Sequence, residues 1–142
     1  MTYPRSPYHT VGGIVYFGRM ADKIRMNAEG TLPDDLKANL GVHFDTRCCV
    51  FLGVEYPELV KRTLAGGNDE ALLAWCFAQG RRPSGEEVEV WNGFMTKRGW
   101  RDEGAATLAR RKSESGFTDR DDIMTMFDYI DADEDRSVKK WK

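Results

Sequence analysis

Histidine and cysteine, which bind most zinc and iron ions in proteins, are scarce in this sequence. Among 142 residues there are two histidines, His9 and His43, and neither has a second metal ligand three or four positions away. Cys48 and Cys49 are adjacent, and Cys76 stands alone. A metal centre needs several ligands that converge, and a disulfide framework is typical of an even number of cysteines. We therefore expect no metal, no cofactor, and reduced thiols that are mostly buried.

The sequence also lacks a basic excess and a long apolar run. Its formal net charge is -2, whereas a general nucleic-acid binder presents a strongly basic surface. No apolar run approaches the roughly 18 residues that a membrane span needs, and Met1 to Thr10 lacks the apolar core of a signal peptide. We therefore expect a cytoplasmic protein that binds neither nucleic acid nor membranes.

Glycine-rich phosphate loops are missing as well. There is no Gly-x-x-x-x-Gly-Lys-Ser/Thr sequence and no Gly-x-Gly-x-x-Gly turn after a strand, which excludes the usual cradles for ATP and dinucleotides. His43, Asp45 and Cys48 are close in sequence, but no strand, elbow or oxyanion motif frames them as a nucleophilic set. We interpret them as a turn histidine beside buried thiols.

Apolar residues recur at helical spacing along most of the chain, between capping residues and glycines. The clearest example begins at Ser84, which forms a capping box with Glu87, and ends at Gly99. The apolar run Phe44 to Leu52 has no clear period, and we assign it to a helix because no second strand candidate could pair with it. The sequence predicts an all-α fold, a single irregular bundle of about seven short to medium helices.

The chain divides into three predicted segments. Residues 1–11 contain two prolines and no period, which predicts an extended N-terminal arm. Residues 12–131 form one helical domain, because a chain of this length supports one hydrophobic core. Residues 132–142 form a polar tail.

The acidic end of the chain has oxygen ligands at the alternating positions of a calcium-binding loop, namely Asp131, Asp133, Asp135 and Ser137. Arg136 stands where that loop needs glycine, and Lys142 stands where it needs a bidentate glutamate. We therefore interpret this end as acidic and solvent-exposed, with weak calcium binding as the lesser alternative.

The most informative stretch runs from Gly12 to Gly30 and predicts a helix with apolar residues on two opposite sides, which indicates cover on both. Its four central charged residues are Arg19, Asp22, Lys23 and Arg25. Asp22 lies three residues from each arginine, so the spacing predicts an Arg–Asp–Arg ladder with positive charge in excess. A desolvated excess needs an anion, either a ligand carboxylate or phosphate or an acidic side chain from elsewhere in the chain.

These residues lead to the hypothesis of a small-molecule binding protein for an anionic metabolite, with its enzymatic character left open. The pocket would lie between the Gly12 to Gly30 helix and the segment Trp91 to Arg101. Asp22 would orient the arginines or act as a catalytic base. The basic and aromatic end of the second segment could clamp a planar anion, or merely compensate the helix dipole. The residues expected to bind the ligand are Arg19, Lys23, Arg25, Asn92, Trp100 and Arg101.

The competing hypothesis is an interaction module without a catalytic site. The acidic region 128–135 and the basic region 97–112 would then pair with a protein partner or with a second copy of the chain in a homodimer.

Several pieces of the sequence resemble one bacterial family. GGIVYFGRMADKIRMNAEGTLPDDL contains a G-x-x-x-x-x-R-M-x-D-K-x-R core, and FLGVEYPELV, WNGFM and FDYIDADEDR are similar to later parts of the same family. The family is a domain of unknown function, number 5069, and the resemblance covers nearly the whole chain. It implies a single compact helical unit and carries over no activity, but it marks Arg19, Asp22, Lys23 and Arg25 as the signature.

Overall fold

Helices occupy most of the chain, and most of them begin or end at a capping residue, a glycine or a proline. The computed structural model describes residues 2–141. In chain order the helices within that range are α1 (Phe17–Glu29), α2 (Asp34–Lys37), α3 (Phe44–Leu52), α4 (Tyr56–Leu64), α5 (Asp69–Gln79), α6 (Gly85–Lys97), α7 (Ala105–Glu114) and α8 (Met126–Asp133). The predicted all-α fold is confirmed, with eight helices among the described residues. No helix in this range is long and apolar enough to cross a membrane.

The expected start of the first helix at Gly12 is wrong. α1 begins at Phe17, and residues 10–15 form an antiparallel hairpin of β1 (Thr10–Val11) and β2 (Ile14–Val15). The two glycines of its turn have positive φ angles of 56° and 79°. A Gly-Gly pair between β-branched residues is typical of a tight hairpin turn, because glycine adopts such angles without strain. This turn chemistry outweighs the helical spacing of the apolar residues.

The last helix also starts later than expected from a cap at Thr118. Its N-cap is Thr125, whose side chain accepts a hydrogen bond from the backbone N–H of Asp128 at 3.2 Å. The loop before it is held by Lys112, whose Nζ donates to two loop carbonyl oxygens. Both threonines are suitable caps by residue type, so the tertiary contacts of the loop decide between them.

α1 lies at the centre of the fold and is covered on both sides. It packs against α4 and β1, while α6 packs against β2 and α8. These elements supply much of the fully buried apolar core, including Ile14, Phe17, Met20, Met95 and Phe127. Arg19 and Lys23 of α1 are buried as well. The central helix therefore carries cations out of contact with bulk water.

The segment before the hairpin lies on the body as an extended arm. Its two prolines are fully buried. The Arg5 side chain crosses α1 at Gly18, where an added Cβ would lie 2.8 Å from the guanidinium Nη1. Ser6 Oγ donates a hydrogen bond to the Asp131 carboxylate of α8 at 3.0 Å. The arm thus ties the beginning of the chain to both α1 and α8.

The acidic end is only partly the solvent-exposed tail that its composition predicts, with Asp133 and Asp135 exposed. Asp128, Asp131 and Glu134 are all buried. Asp128 accepts a hydrogen bond from Tyr8 OH at 2.6 Å, and Glu134 accepts two from Arg19. Such bonds offset the loss of hydration of a buried carboxylate. The partners come from the other end of the chain, so local composition does not reveal them.

Candidate functional site

Arg19 is neutralised inside the protein. Its Nη1 and Nη2 donate to the two carboxylate oxygens of Glu134 at 2.8 and 2.6 Å, and both side chains are 3% exposed. Burial alone would lower the pKa of Arg19, but the bonds to Glu134 outweigh it and raise that pKa. This bidentate geometry is the strong form of an arginine–carboxylate pair.

Lys23 is also held by groups of this chain. Its Nζ donates to Asp45 Oδ1 at 2.9 Å, to Tyr16 OH at 3.1 Å and to the Asn39 carbonyl oxygen at 3.4 Å. Tyr16 OH in turn donates to Asp45 Oδ1 at 2.6 Å. Burial lowers the pKa of Lys23, outweighing the attraction of Asp45, and burial together with the Asp45 charge raises the pKa of Tyr16.

Asp22 and Arg25 belong to a third cluster, at the N-terminal arm. Arg5 donates to both Asp22 oxygens from its guanidinium, at 2.9 and 2.8 Å, and also from its backbone N–H. Asp69 lies 2.7 Å from Arg5 Nη1 and 2.8 Å from Arg25 Nη1, whereas Asp22 and Arg25 are 3.7 Å apart. The predicted Arg–Asp–Arg ladder is therefore wrong at Arg19, which binds Glu134 instead, while Asp22 and Arg25 keep their i, i+3 contact.

The positive excess of α1 thus has its counter-ions within the chain, which was one of the two alternatives for those charges. Three carboxylates supply them: Glu134, Asp45 and Asp69. A ligand is not needed to neutralise these side chains.

The segment expected to face α1 has a different role. Asn92 Oδ1 accepts a hydrogen bond from Val15 N at 3.1 Å, and its Nδ2 donates to the Gly13 carbonyl oxygen at 2.8 Å. It therefore holds the β-hairpin. Trp100 is exposed, and the Arg101 guanidinium lies 5.1 Å from its ring centroid. None of these three residues lines the cleft that opens beside α1.

A cleft of about 550 Å³ opens on another side of α1, bordered by α3, α7 and α8. Tyr16, Arg19 and Lys23 line it, with their counter-ion Glu134. Four further arginines line it from other elements, namely Arg47, Arg98, Arg110 and Arg111. The sequence indicated the last two only as part of the basic region 97–112, and no sequence signal marked Arg47.

The cleft arginines differ from those of α1 in lacking strong ion pairs. Arg47 and Arg98 lie over the same Phe94 ring, 5.1 and 5.6 Å from its centroid. Arg98 reaches carboxylates only at 3.6 and 3.7 Å. Among residues 2–141, no carboxylate lies within 4.0 Å of the guanidinium nitrogens of Arg47, Arg110 or Arg111. These side chains therefore leave cationic groups free to bind a ligand.

Acidic side chains line the same cleft, so its charge is mixed. They are Asp35, Glu114, Asp133 and the paired Glu134. Burial raises the pKa of Asp133, and the nearby charges of Asp35 and Glu134 raise it further. The cleft therefore presents both cationic and anionic side chains.

Two residues that line the cleft have unusual backbone conformations. Tyr16 has φ 76° and ψ -30° before α1, and His43 has φ 56° and ψ -119° before α3. Positive φ costs a residue other than glycine about 1–3 kcal/mol and tends to cluster at functional sites. Two of the four non-glycine residues with positive φ in the described range therefore line this cleft, while Arg101 and Asp135 lie elsewhere.

The cysteines are free, buried thiols. Burial raises the pKa of Cys49 and of Cys76 to about 12, so neither has appreciable thiolate character near neutral pH. Among the described residues, no three histidine, cysteine or acidic side chains converge as a metal site would require. The ionisable groups that line the cleft are those of arginine, lysine, tyrosine, histidine and carboxylate side chains.

One family model matches residues 1–136 of the chain, and its description is a domain of unknown function (DUF5069). The resemblance noted from the sequence is confirmed. No curated protein matches this chain. The family description names no activity.

Proposed function

This chain belongs to the DUF5069 family, and we propose that it binds a small anionic metabolite, with a carboxylate or phosphate group, in the cleft bordered by α1, α3, α7 and α8. One observation carries the proposal. Arg47, Arg110 and Arg111 line a single cleft and have no ion pair among the described residues. Guanidinium groups bind carboxylates and phosphates in a bidentate manner, and a concave site strengthens such contacts.

The α1 residues that the sequence suggested are not the ones that we propose to bind the ligand. Arg19 and Lys23 border the cleft with their carboxylate partners already in place, so they shape its wall and contribute little net charge. Asp22 and Arg25 are bound to the arm and to Asp69, outside the cleft lining. Their contribution to function is to hold the central helix.

The competing proposal of charge pairing with a partner or second copy has less support. It needs an exposed acidic surface near the end of the chain, whereas three of the five carboxylates of region 128–135 are buried and hydrogen-bonded internally, which leaves Asp133 and Asp135 exposed. The buried free thiols agree with a reducing compartment, so we also propose that the ligand is a cytoplasmic metabolite.

Thermal-shift measurements with carboxylate and phosphate metabolites test the proposal, with isothermal calorimetry on the compounds that stabilise. A ligand at 100 times its Kd stabilises the folded chain by about 2.7 kcal/mol, which raises Tm by about 5–10 °C. The double substitution Arg110→Gln and Arg111→Gln should weaken binding about tenfold or more, because it removes two guanidinium groups that would contact the anion. Both side chains are exposed, so we expect the variant to fold normally.

Arg120→Gln is the matched control, since Arg120 is an exposed arginine that pairs with Asp122 and does not line the cleft. It should bind the same compound with unchanged affinity. A library in which no anion raises Tm, or a stabilising anion that binds the Arg110/Arg111 variant as tightly as the parent chain, would overturn the proposal.

A further inference from the structure

The amine of Lys23 lies at the wall between the cleft and a buried carboxylate. Tyr16 and Asn39, which accept two of its hydrogen bonds, both line the cleft. Asp45, which accepts the third, is 0% exposed and is not part of the lining. The contact with the Asn39 carbonyl oxygen is the longest of the three at 3.4 Å. A ligand in the cleft would therefore displace the hydrogen bond to Asn39 more easily than the other two.

A lysine amine is a nucleophile only when it has lost its proton. Burial lowers the pKa of Lys23, which favours the neutral amine relative to an exposed lysine. Asp45 Oδ1, at 2.9 Å, is positioned to take the proton, and Tyr16 OH bonds to the same oxygen at 2.6 Å. Amine, carboxylate and phenol thus form a closed set in which protons can move over hydrogen-bond distances.

We propose that Lys23 forms an imine with the carbonyl group of an anionic aldehyde, ketone or oxo acid whose charged group is held by the cleft arginines. The inference rests on the proposed anion-binding function. It adds the chemical class of the ligand, a carbonyl compound, and a covalent step at a named atom.

The step balances without a further reactant. Lys23 Nζ gives one proton to Asp45 and attacks the carbonyl carbon, so that a C–N bond forms as the C=O π bond opens. A second proton then moves from Nζ to the carbonyl oxygen, which becomes the hydroxyl of a carbinolamine. Asp45 returns its proton as that hydroxyl leaves as water, and the nitrogen lone pair completes a protonated C=N bond. The product keeps one positive charge on Nζ beside the Asp45 carboxylate. No unpaired charge is therefore left in the buried site.

Reductive trapping on the full-length wild-type chain tests the inference. The protein is incubated near neutral pH with glyoxylate or pyridoxal phosphate, both anionic aldehydes, and is reduced with sodium borohydride. Mass spectrometry of proteolytic peptides then measures the adduct at each lysine. Lys61, whose side chain is 80% exposed, serves as the internal reference. An exposed lysine has a pKa of about 10.4 and is almost fully protonated near neutral pH. Burial lowers the pKa of Lys23, so Lys23 should be labelled at least about tenfold more than Lys61.

Two further arms separate this inference from the anion-binding proposal. Acetaldehyde lacks an anionic group and should label Lys23 much less than glyoxylate does, and Arg111→Gln should reduce glyoxylate labelling of Lys23 without changing that of Lys61. If the anions bind and raise Tm but Lys23 is labelled no more than Lys61, the imine inference is overturned and anion binding stands. If acetaldehyde and glyoxylate label Lys23 equally, the amine is reactive and the arginine contribution is refuted.

Discussion

At the scale of single residues, the charged side chains of α1 are explained by partners that are far away in sequence. Glu134 is 115 positions from Arg19, Asp69 is 44 positions from Arg25, and Asp45 is 22 positions from Lys23. Spacing within a helix indicates only i, i+3 and i, i+4 neighbours. The predicted ladder failed at Arg19 because buried bidentate bonds to a distant carboxylate are stronger than contacts between neighbours on a helix surface.

The Arg19–Glu134 pair gives a prediction at this scale. Glu134→Leu leaves a buried guanidinium without its carboxylate, so the free energy of unfolding should fall by about 3–5 kcal/mol in urea denaturation. Adding Arg19→Met should restore a large part of the loss, because neither charge then remains buried alone. Arg120→Met, which breaks an exposed pair, should leave the urea midpoint unchanged. A double variant no more stable than Glu134→Leu alone would contradict the pairing.

At the scale of helices and strands, local chemistry explains the ends of elements well. Ser84 and Glu87 form the expected capping box of α6, and Asn68 caps α5 as its residue type indicates. Gly80 ends α5 for a different reason. An added Cβ there would lie 2.0 Å from the Leu52 carbonyl oxygen and 2.6 Å from that of Gly53. This glycine is needed because the ends of α3 and α5 approach each other closely.

A matched pair of glycine substitutions tests this junction. Gly80→Ala should destabilise by about 3 kcal/mol, at the upper end for overpacking, because the methyl group meets backbone atoms that cannot move aside. Gly93→Ala, within α6 and with no atom near the added Cβ, should stabilise by about 0.5–1 kcal/mol, since alanine favours the helix. Thermal unfolding followed by circular dichroism measures both. Equal shifts of Tm in the same direction would refute the close approach.

At the scale of the whole molecule, the N-terminal arm closes the fold. Arg5 binds Asp22 of α1 and Asp69 of α5, and Ser6 binds Asp131 of α8. Burial tends to raise the pKa of Asp22, but the hydrogen bonds from Arg5 outweigh it and hold that pKa below its usual range. The stabilisation that the docked arm gives should therefore depend on pH in the acid range.

The sign of that linkage gives a prediction. An aspartate in the unfolded chain has a pKa of about 3.9, which is higher than the pKa of Asp22 in the folded chain. As the pH falls, Asp22 is therefore protonated in the unfolded state before it is protonated in the folded state. Its contribution is fully present above about pH 4 and is lost as the pH falls through the lower folded value. Asp22→Asn should cost about 1.5–3 kcal/mol at neutral pH, and its Tm difference from the parent should shrink below about pH 4.

Arg5→Met should reproduce this behaviour, because it removes the donor that lowers the pKa of Asp22. Measurement of Tm against pH for the three chains is sufficient. A Tm difference that stays constant down to acid pH would show that the Asp22 carboxylate does not contribute through its charge.

The sequence by itself determined the helical class, most helix ends and the family, because capping, glycine placement and apolar spacing act between residues a few positions apart. It also singled out the charged residues of α1, though not their partners. Only the tertiary structure decided that Arg19 and Lys23 are neutralised internally, and that Arg47, Arg110 and Arg111 line one cleft. Those facts depend on how distant segments pack, and the energies that control packing are shared across the whole core rather than encoded in any short stretch.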